Sequence, residues 1–224
     1  MSRFCAIVLS GGKGKRMGGS VPKQYMMLGD KPILAHSLIA FEQSDVDDIV
    51  IVCAGGEEEY IKKEFVDKYE LKKVKCICVG GEERYDSVYN GLMKVSDCEY
   101  VLIHDGARPY VSGEIISRNI SEVIKYQAVA TAIKATDTVK IADENGFIVS
   151  TPDRNNVYFM QTPQTFAYDL VTKAYSSYMK ERENGNTLKV TDDAQVVELY
   201  GGVKVKTVEG DVTNIKITYP SDFK

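Results

Sequence analysis

The sequence has no tryptophan, only two histidines, six prolines and five cysteines in 224 residues. Two histidines leave few candidates for an imidazole general base. The longest apolar runs, such as Cys5 to Leu9 and Ile49 to Ala54, fall far short of the roughly 20 residues of a membrane span, so no membrane segment is expected. Met-Ser-Arg-Phe-Cys-Ala-Ile-Val-Leu-Ser enters a strand-like run at once, without a charged leader or a small-residue cleavage site. A cytoplasmic location is the expectation. The cysteines, Cys5, Cys53, Cys76, Cys78 and Cys98, are odd in number and scattered over strand-like segments, a pattern of buried reduced thiols rather than of a disulfide framework. Cys76-x-Cys78 lacks a second pair or a nearby histidine, so core packing outweighs a zinc site. Neither a Pro/Gly linker nor an internal repeat divides the chain, and residues 1–224 are read as one domain.

What is present is ordinary globular composition: 44% hydrophobic residues, 27% charged ones and a net charge of -4. That excludes a disordered chain and gives no basis for a nucleic-acid partner. Strand-like runs at Phe4–Leu9, Ile49–Cys53, Val74–Val79, Tyr100–Ile103 and Val129–Ile133 alternate with helical spacing. The helical stretches are Leu34 to Phe41 after Pro32 at a first helical position, Tyr60–Tyr69, Ser87–Val95 and Ile115–Tyr126. The fold class is therefore α/β, a Rossmann-like, mostly parallel sheet with helices on both faces. The alternation breaks at Thr138–Ala142 and Phe147–Thr151, joined through Asn145-Gly146, which predicts an antiparallel hairpin. Spacing leaves open whether it is an edge ribbon or an arm that packs on a second subunit. Further expectations are a helix over Phe166–Lys180, one capped by Thr191-Asp192-Asp193 and ending at Gly201, and strands at Val203–Val208 and Ile215–Ile217.

The segment Ser10-Gly11-Gly12-Lys13-Gly14-Lys15-Arg16-Met17-Gly18 follows the first strand directly. Its glycines let backbone N–H groups approach an anion closely, and its cations suit a phosphate cradle. The competing reading is a solvated turn with ordinary surface lysines. Arg3, Lys13, Lys15, Arg16 and Lys23 give residues 1–29 a charge of +5, leaving 23 bases against 32 acids, or -9, in the remainder. Positive charge is thus concentrated at the glycine loop, where developing phosphate charge is stabilised. Gly-x-x-x-x-Gly-Lys-Ser/Thr is missing. In the dinucleotide pattern Met17 replaces the third glycine, and the second strand ends in Cys53-Ala54-Gly55 without an acid for the ribose.

Leu9-Ser-Gly-Gly-x-Gly-x-Arg16-Met followed by Pro22-Lys23-Gln24-Tyr25 resembles the signature of nucleotidyltransferases acting on sugar or polyol phosphates. Further blocks narrow the resemblance: Gly80-Gly81-Glu82-Glu83-Arg84-Tyr85-Asp86-Ser87-Val88, His104-Asp105-Gly106-Ala107-Arg108-Pro109, Asp153-Arg154, Gln161-Thr162-Pro163-Gln164, Thr191-Asp192-Asp193-Ala194 and Asn214-Ile215-Lys216-Ile217-Thr218. Together they resemble the 2-C-methyl-D-erythritol 4-phosphate cytidylyltransferase family of the non-mevalonate isoprenoid pathway, over the whole chain.

The resemblance implies that CTP and methylerythritol phosphate react, with Mg²⁺, to give a cytidine diphosphate derivative and pyrophosphate. It implies catalytic cations at Arg16 and Lys23, and nucleotide contacts from Ser10, Gly11, Gly12, Gly14, Gly81, Glu82, Ser87, Asp105 and Gly106. Asp105 is also the candidate to face the metal. Arg154 and Lys216 are implied as the clamp on the acceptor's phosphate, with Thr162 in support. A homodimer is implied through an arm at residues 135–151 that carries Thr138 toward the neighbouring site, with Arg108 nearby. Bland readings compete throughout. Arg16 can cap the first helix, Lys23 can be a surface lysine, Arg154 and Lys216 taken alone are ordinary surface cations, and Asp105 can cap a turn. His104 and His36 read as structural.

The chain departs from the family pattern at Ser10 and Gly106, where alanine is common, and at Pro220-Ser221-Asp222-Phe223-Lys224, which looks like a helix cap with no helix after it. The competing enzyme reading is a ribitol 5-phosphate cytidylyltransferase, against which Ala107 and Asp86-Ser87-Val88 speak. A non-catalytic CTP-binding regulatory module would not need Arg16, Lys23, Arg154 and Lys216 together.

Overall fold

A computed structural model describes residues 2–12, 22–185 and 187–223. Arg16, Gly14 and the other loop residues between 13 and 21 lie outside them. Strand β1 (Phe4–Leu9) is an interior strand of a seven-stranded sheet that also contains β4 (Asp48–Cys53), β5 (Val74–Val79), β6 (Tyr100–Asp105), β7 (Ala128–Lys134), β10 (Tyr158–Ala167) and β11 (Lys206–Glu209). The order is β11-β7-β10-β6-β1-β4-β5. Pairings β1–β4, β1–β6, β4–β5 and β7–β11 are parallel, and β10 runs antiparallel to both β6 and β7.

Burial explains why the strands are nearly continuous apolar runs. Phe4, Ala6 and Val8 join Leu34, Leu38 and Phe41 of α1 (Ile33–Glu42) and Ile115, Ile116 and Val123 of α4 (Gly113–Tyr126) on one face. Cys5 and Ile7 meet α3 (Arg84–Leu92), α5 (Tyr168–Glu183) and α6 (Asp193–Tyr200) on the other. A two-residue period with both sets buried needs helices on both faces, and each fully buried aliphatic side chain contributes about 1.5–3 kcal/mol. Cys5, Cys53 and Cys78 are buried among these residues and Cys76 and Cys98 partly so.

Short elements complete the chain. Strands β2 (Met27–Leu28) and β3 (Lys31–Pro32) form a small hairpin before α1, and α2 (Glu58–Ile61) runs on into a wider π-helical turn at Lys62–Asp67. Strands β8 (Ile141–Ala142) and β9 (Ile148–Ser150) pair only with each other. The hairpin at Asn145-Gly146 is therefore not an edge ribbon of the main sheet. Gly146 takes φ +85°, the left-handed conformation such a turn requires.

Several expectations need correction. Pro32 is the N-cap of α1 rather than its first residue, and α3 begins at Arg84, not Ser87. Strand β10 is absent from the sequence reading. That reading assigns Gln161-Thr162-Pro163-Gln164 no secondary structure, and proline cannot donate to a ladder, yet a register shift between Met160 and Gln164 accommodates it inside the sheet. Phe166 consequently belongs to β10, and α5 starts at Tyr168. Strand β11 is shorter than Val203–Val208 suggested, and Ile215–Ile217 forms no strand. Pro220–Asp222 is a 3-10 turn, with Asp222 accepting the Thr218 and Tyr219 amides. No helix among the described residues is long and apolar enough to cross a membrane.

Candidate active site

The parallel strands deliver their C-terminal ends to one edge. There the strand order reverses, with β4 on one side of β1 and β6 on the other, and the gap between β1 and β6 is the crevice where ligands of open α/β sheets bind. Ser10 continues β1 by donating its N–H to the Val52 carbonyl (2.7 Å), and Gly106 continues β6 by donating to Leu9 (2.9 Å). A Cβ on Gly106 would stand 2.9 Å from the Leu9 oxygen and 2.7 Å from Leu34 Cδ1, so glycine lets the β6 end approach β1 more closely than a residue with a side chain could without a shift of these neighbours. Gly11 is partly exposed and Gly12 exposed at the mouth.

The segment after the glycine loop is tied back to it. Gln24 Nε2 donates to the Ser10 carbonyl at 2.6 Å, and Lys23 Nζ donates to the Ile217 carbonyl at 2.8 Å. The adjacent Tyr25 hydroxyl reaches Glu57 at 2.5 Å. Lys23 is thereby anchored at the edge of the crevice rather than loose on the surface.

On the far side, Gly81 N–H donates to Ser87 Oγ at 3.1 Å, and Glu83 and Asp86 cap the start of α3 reciprocally. A Cβ on Gly81 would lie 2.2 Å from that of Asp86, which forces glycine at this turn. Glu82 is exposed.

Asp105, at the end of β6, is the hub. Its Oδ1 accepts from Arg84 Nε (3.1 Å) and its Oδ2 from Lys216 Nζ (2.6 Å). Burial alone would raise the carboxyl's pKa. The flanking Arg84 and Lys216 cations win and hold it well below the usual carboxylate range. Its side chain caps no turn. Arg84 in turn grips both oxygens of the fully buried Asp193 (2.8 and 2.7 Å), which also accepts the Tyr175 hydroxyl at 2.5 Å. Burial opposes the Arg84 charge, but Asp193 and Asp105 more than offset it and keep the guanidinium firmly charged.

Thr162 is brought to the same point with its proton committed. His104 Nε2 faces the Arg108 carbonyl at 3.3 Å and must carry the ring hydrogen, so Nδ1 accepts from the Thr162 hydroxyl at 3.0 Å. Thr162 Oγ1 accepts the Asp105 N–H at 3.1 Å. The hydroxyl therefore fixes the strand end, and toward a ligand it can only accept. Arg108 is held by the carbonyls of Asn214 (2.7 Å) and Met160 (3.3 Å), and burial lowers its pKa somewhat despite Asp105.

Arg154 and Thr138 stand elsewhere. Arg154 lies in a 3-10 turn at the foot of the hairpin and donates to the Thr136 carbonyl (2.9 Å), while Thr138 is exposed on the hairpin's approach. Lys216 is thus at Asp105, and Arg154 belongs to the arm. The sequence reading overlooked Arg84, Asp193, Tyr175 and Gln24. Arg84 and Asp193 were visible inside quoted blocks, but Asp193 read as an ordinary first-turn acid beside the capping Asp192.

Histidine 104 is fully buried, and burial takes its pKa down to about 4, partly offset by Asp105. The unfolded ring, near 6.5, binds a proton that the folded ring refuses. Stability is therefore complete above about pH 6.5 and falls as pH drops toward 4, by about 3 kcal/mol for this group. Urea melts at pH 7 and pH 5 should show about 2 kcal/mol of this loss in the wild-type protein and a flatter dependence in His104→Gln. Equal slopes in the two proteins would remove His104 as the cause.

A glycine-lined crevice at the switch point, an anchored lysine and a carboxylate flanked by cations define a nucleotidyltransferase-type α/β protein. The family described as IspD, 2-C-methyl-D-erythritol 4-phosphate cytidylyltransferase, matches residues 4–224. A protein of that name from Lachnoclostridium phytofermentans is 47% identical over 223 residues, covering 100% of this chain and 94% of the relative. One from Alkaliphilus oremlandii is 43% identical, covering 100% and 93%. Among solved structures, 4-diphosphocytidyl-2C-methyl-D-erythritol synthase from Anaerococcus prevotii superposes with TM-score 0.86 at 34% identity, covering 99% of this chain and 93% of that one. The Francisella tularensis cytidylyltransferase gives TM-score 0.80 at 30% identity, covering 99% and 97%. The chain belongs to the 2-C-methyl-D-erythritol 4-phosphate cytidylyltransferase family.

Proposed function

We infer that this chain transfers the cytidylyl group of CTP to 2-C-methyl-D-erythritol 4-phosphate, a step of isoprenoid precursor synthesis. Full-length family membership carries the inference. The site is suited to the chemistry. An oxygen of the acceptor's phosphate attacks the α-phosphorus in line, the bond from that phosphorus to the β-phosphate's bridging oxygen breaks, and pyrophosphate leaves with the electron pair. The attacking group is already an anion, so no general base is needed, and the buried, neutral His104 serves none. Charge grows on the equatorial oxygens and the leaving group, which is where fixed cations act.

Lys23 is the described cation next to the glycine loop, and Arg16 joins it on the resemblance. Gly11 and Gly12 offer backbone N–H groups to the triphosphate, Gly14 joins them on the resemblance, and Ser10, whose N–H is taken by Val52, can offer its side-chain hydroxyl. Gly81, Glu82 and Ser87 form the turn assigned to cytosine and ribose, and Gly106 keeps the β6 end close to β1. Lys216 turns from Asp105 to the acceptor's phosphate.

Among the described residues no three His, Cys, Asp or Glu side chains converge on a metal position. A single carboxylate, Asp105, combined with substrate phosphates is nevertheless a donor set that Mg²⁺ accepts, since this ion keeps several waters. Asp105 would hold it, and when bound it supplies neutralising charge to the triphosphate.

Pyrophosphate release should require CTP, methylerythritol 4-phosphate and Mg²⁺ together. Release with ribitol 5-phosphate in its place, or unabated release in EDTA, would contradict the substrate or the metal assignment respectively. Nucleotide binding without any release would favour a regulatory module.

The arm is assigned to a homodimer. Phe147, Ile148 and Val149 are 72%, 63% and 62% exposed, an apolar surface that a lone chain leaves in water. Arg154 and Thr138 are then aimed at the neighbouring site instead of their own. Phe147→Glu combined with Ile148→Lys is expected to give a monomer by light scattering, with activity down about tenfold or more from the lost positioning. A monomeric variant of full activity would confine the site to one chain.

A further inference from the structure

We propose that Arg84 is a positioning residue for the transfer reaction. It holds the Asp105 carboxylate in the orientation that places Lys216, and Asp193 and Tyr175 serve to hold Arg84. The proposal rests on the function inferred above. Arg84 is the first residue of α3, and Asp193 is the first residue of α6. Their two parallel bonds, at 2.8 and 2.7 Å, lock the plane of the guanidinium as a single contact could not. Asp193 is completely buried and further fixed by the Tyr175 hydroxyl, so the fork cannot swing.

With one hydrogen of each terminal nitrogen directed at Asp193, Nε points the other way, at Asp105 Oδ1 (3.1 Å). Joining α3 to α6 would need the Asp193 pair alone. The Nε bond adds nothing to that union, but it fixes a carboxylate at the ligand edge of the sheet with Oδ2 turned to Lys216 (2.6 Å). The four groups balance as two cations and two anions. Lys216 is the most exposed of them, its side chain 37% accessible against 29% for Arg84, 11% for Asp105 and none for Asp193. Lys216 is therefore the member that turns to an incoming phosphate, while the Arg84–Asp193 pair stays in place.

The test is a double-mutant cycle in the intact protein with Arg84→Lys, which keeps one cation but cannot make both pairs, and Asp105→Asn. Arg84→Lys should lower kcat by about 10- to 100-fold with the KM for CTP within about threefold, and should cause no further loss in the Asp105→Asn background. Additive losses in kcat, or a kcat equal to wild type, overturn the proposal. Melting temperatures measured alongside separate a scaffold effect from a kinetic one. If Arg84→Lys does not fold, Tyr175→Phe enters the same cycle and is expected to lower kcat about threefold. An unchanged kcat there overturns the proposal.

Lack of pyrophosphate release by the wild-type protein would sink the inferred reaction, and a crystal structure of the variant then decides the positioning role by itself. Asp105 turned away from Lys216 supports it. Asp105 and Lys216 paired as before overturn it.

Discussion

An Asp193→Ala protein should be less stable than wild type by about 3 kcal/mol, the lower end of the range for breaking a buried ion pair from one side. The reason lies in what stays behind. Asp193 has no exposed surface and accepts three hydrogen bonds, two from Arg84 and one from Tyr175. Alanine removes the acceptor and leaves the Tyr175 phenol and the terminal nitrogens of Arg84 facing each other, with Asp105 as the remaining partner of Arg84. The Arg84 side chain keeps 29% of its surface in water, which lets solvent recover part of the cost and sets the lower figure. For a chain of this size the loss corresponds to a fall in Tm on the order of 10 °C. Chemical denaturation of Asp193→Ala and Asp193→Asn would measure it, with the amide variant falling between alanine and wild type. A loss below about 1 kcal/mol would mean that the pair is worth no more than a surface contact.

The second large effect is expected at Lys23. Lys23→Ala should lower kcat by about 10²- to 10³-fold, the usual range for removing one preorganised donor of transition-state charge stabilisation. The anchoring geometry supports the size of the effect. Lys23 is fixed by the Ile217 carbonyl and its neighbour Gln24 by the Ser10 carbonyl, so the ammonium sits ready beside the loop before substrate arrives. Lys23→Arg keeps charge but lengthens the reach, and should recover part of the rate. Steady-state kinetics with CTP varied at saturating acceptor make the distinction. A normal kcat with a raised KM for CTP would assign Lys23 to ground-state binding alone.

Much of the fold was legible because its strands are buried on both faces. Phe4–Leu9 is read with its observed limits on that ground, and the half-covered edge strand Val74–Val79 likewise from its β-branched Val74, Ile77 and Val79. The hairpin at Asn145-Gly146 is equally clear, since the turn chemistry is local. Strand β10 was not legible, because its central residues are polar and include Pro163, and its place between β6 and β7 depends on partners more than 20 residues away. The candidate site shows the same division. Lys23, Asp105 and Lys216 stand in recognisable blocks, while their supports do not. No spacing rule connects Arg84 to Asp193 across 109 residues, or Lys23 to Ile217 across 194. Asp192 and Asp193 look alike in sequence, yet one caps a helix and the other anchors an arginine.

The segment at residues 214–217 follows every strand of the main sheet and has no regular structure of its own. It nevertheless supplies the carbonyl that fixes Lys23, the carbonyl that fixes Arg108 and the ammonium that pairs with Asp105. Its own attachment includes one backbone bond, from the Ile217 N–H to the Ala107 carbonyl at 2.9 Å. Asn214 and Ile217 are fully buried, so the segment opens only by giving up those contacts. Opening of these few residues would remove a contact from three cations of the site at once. Hydrogen exchange at the single amide of Ile217 therefore times how long the whole site remains assembled.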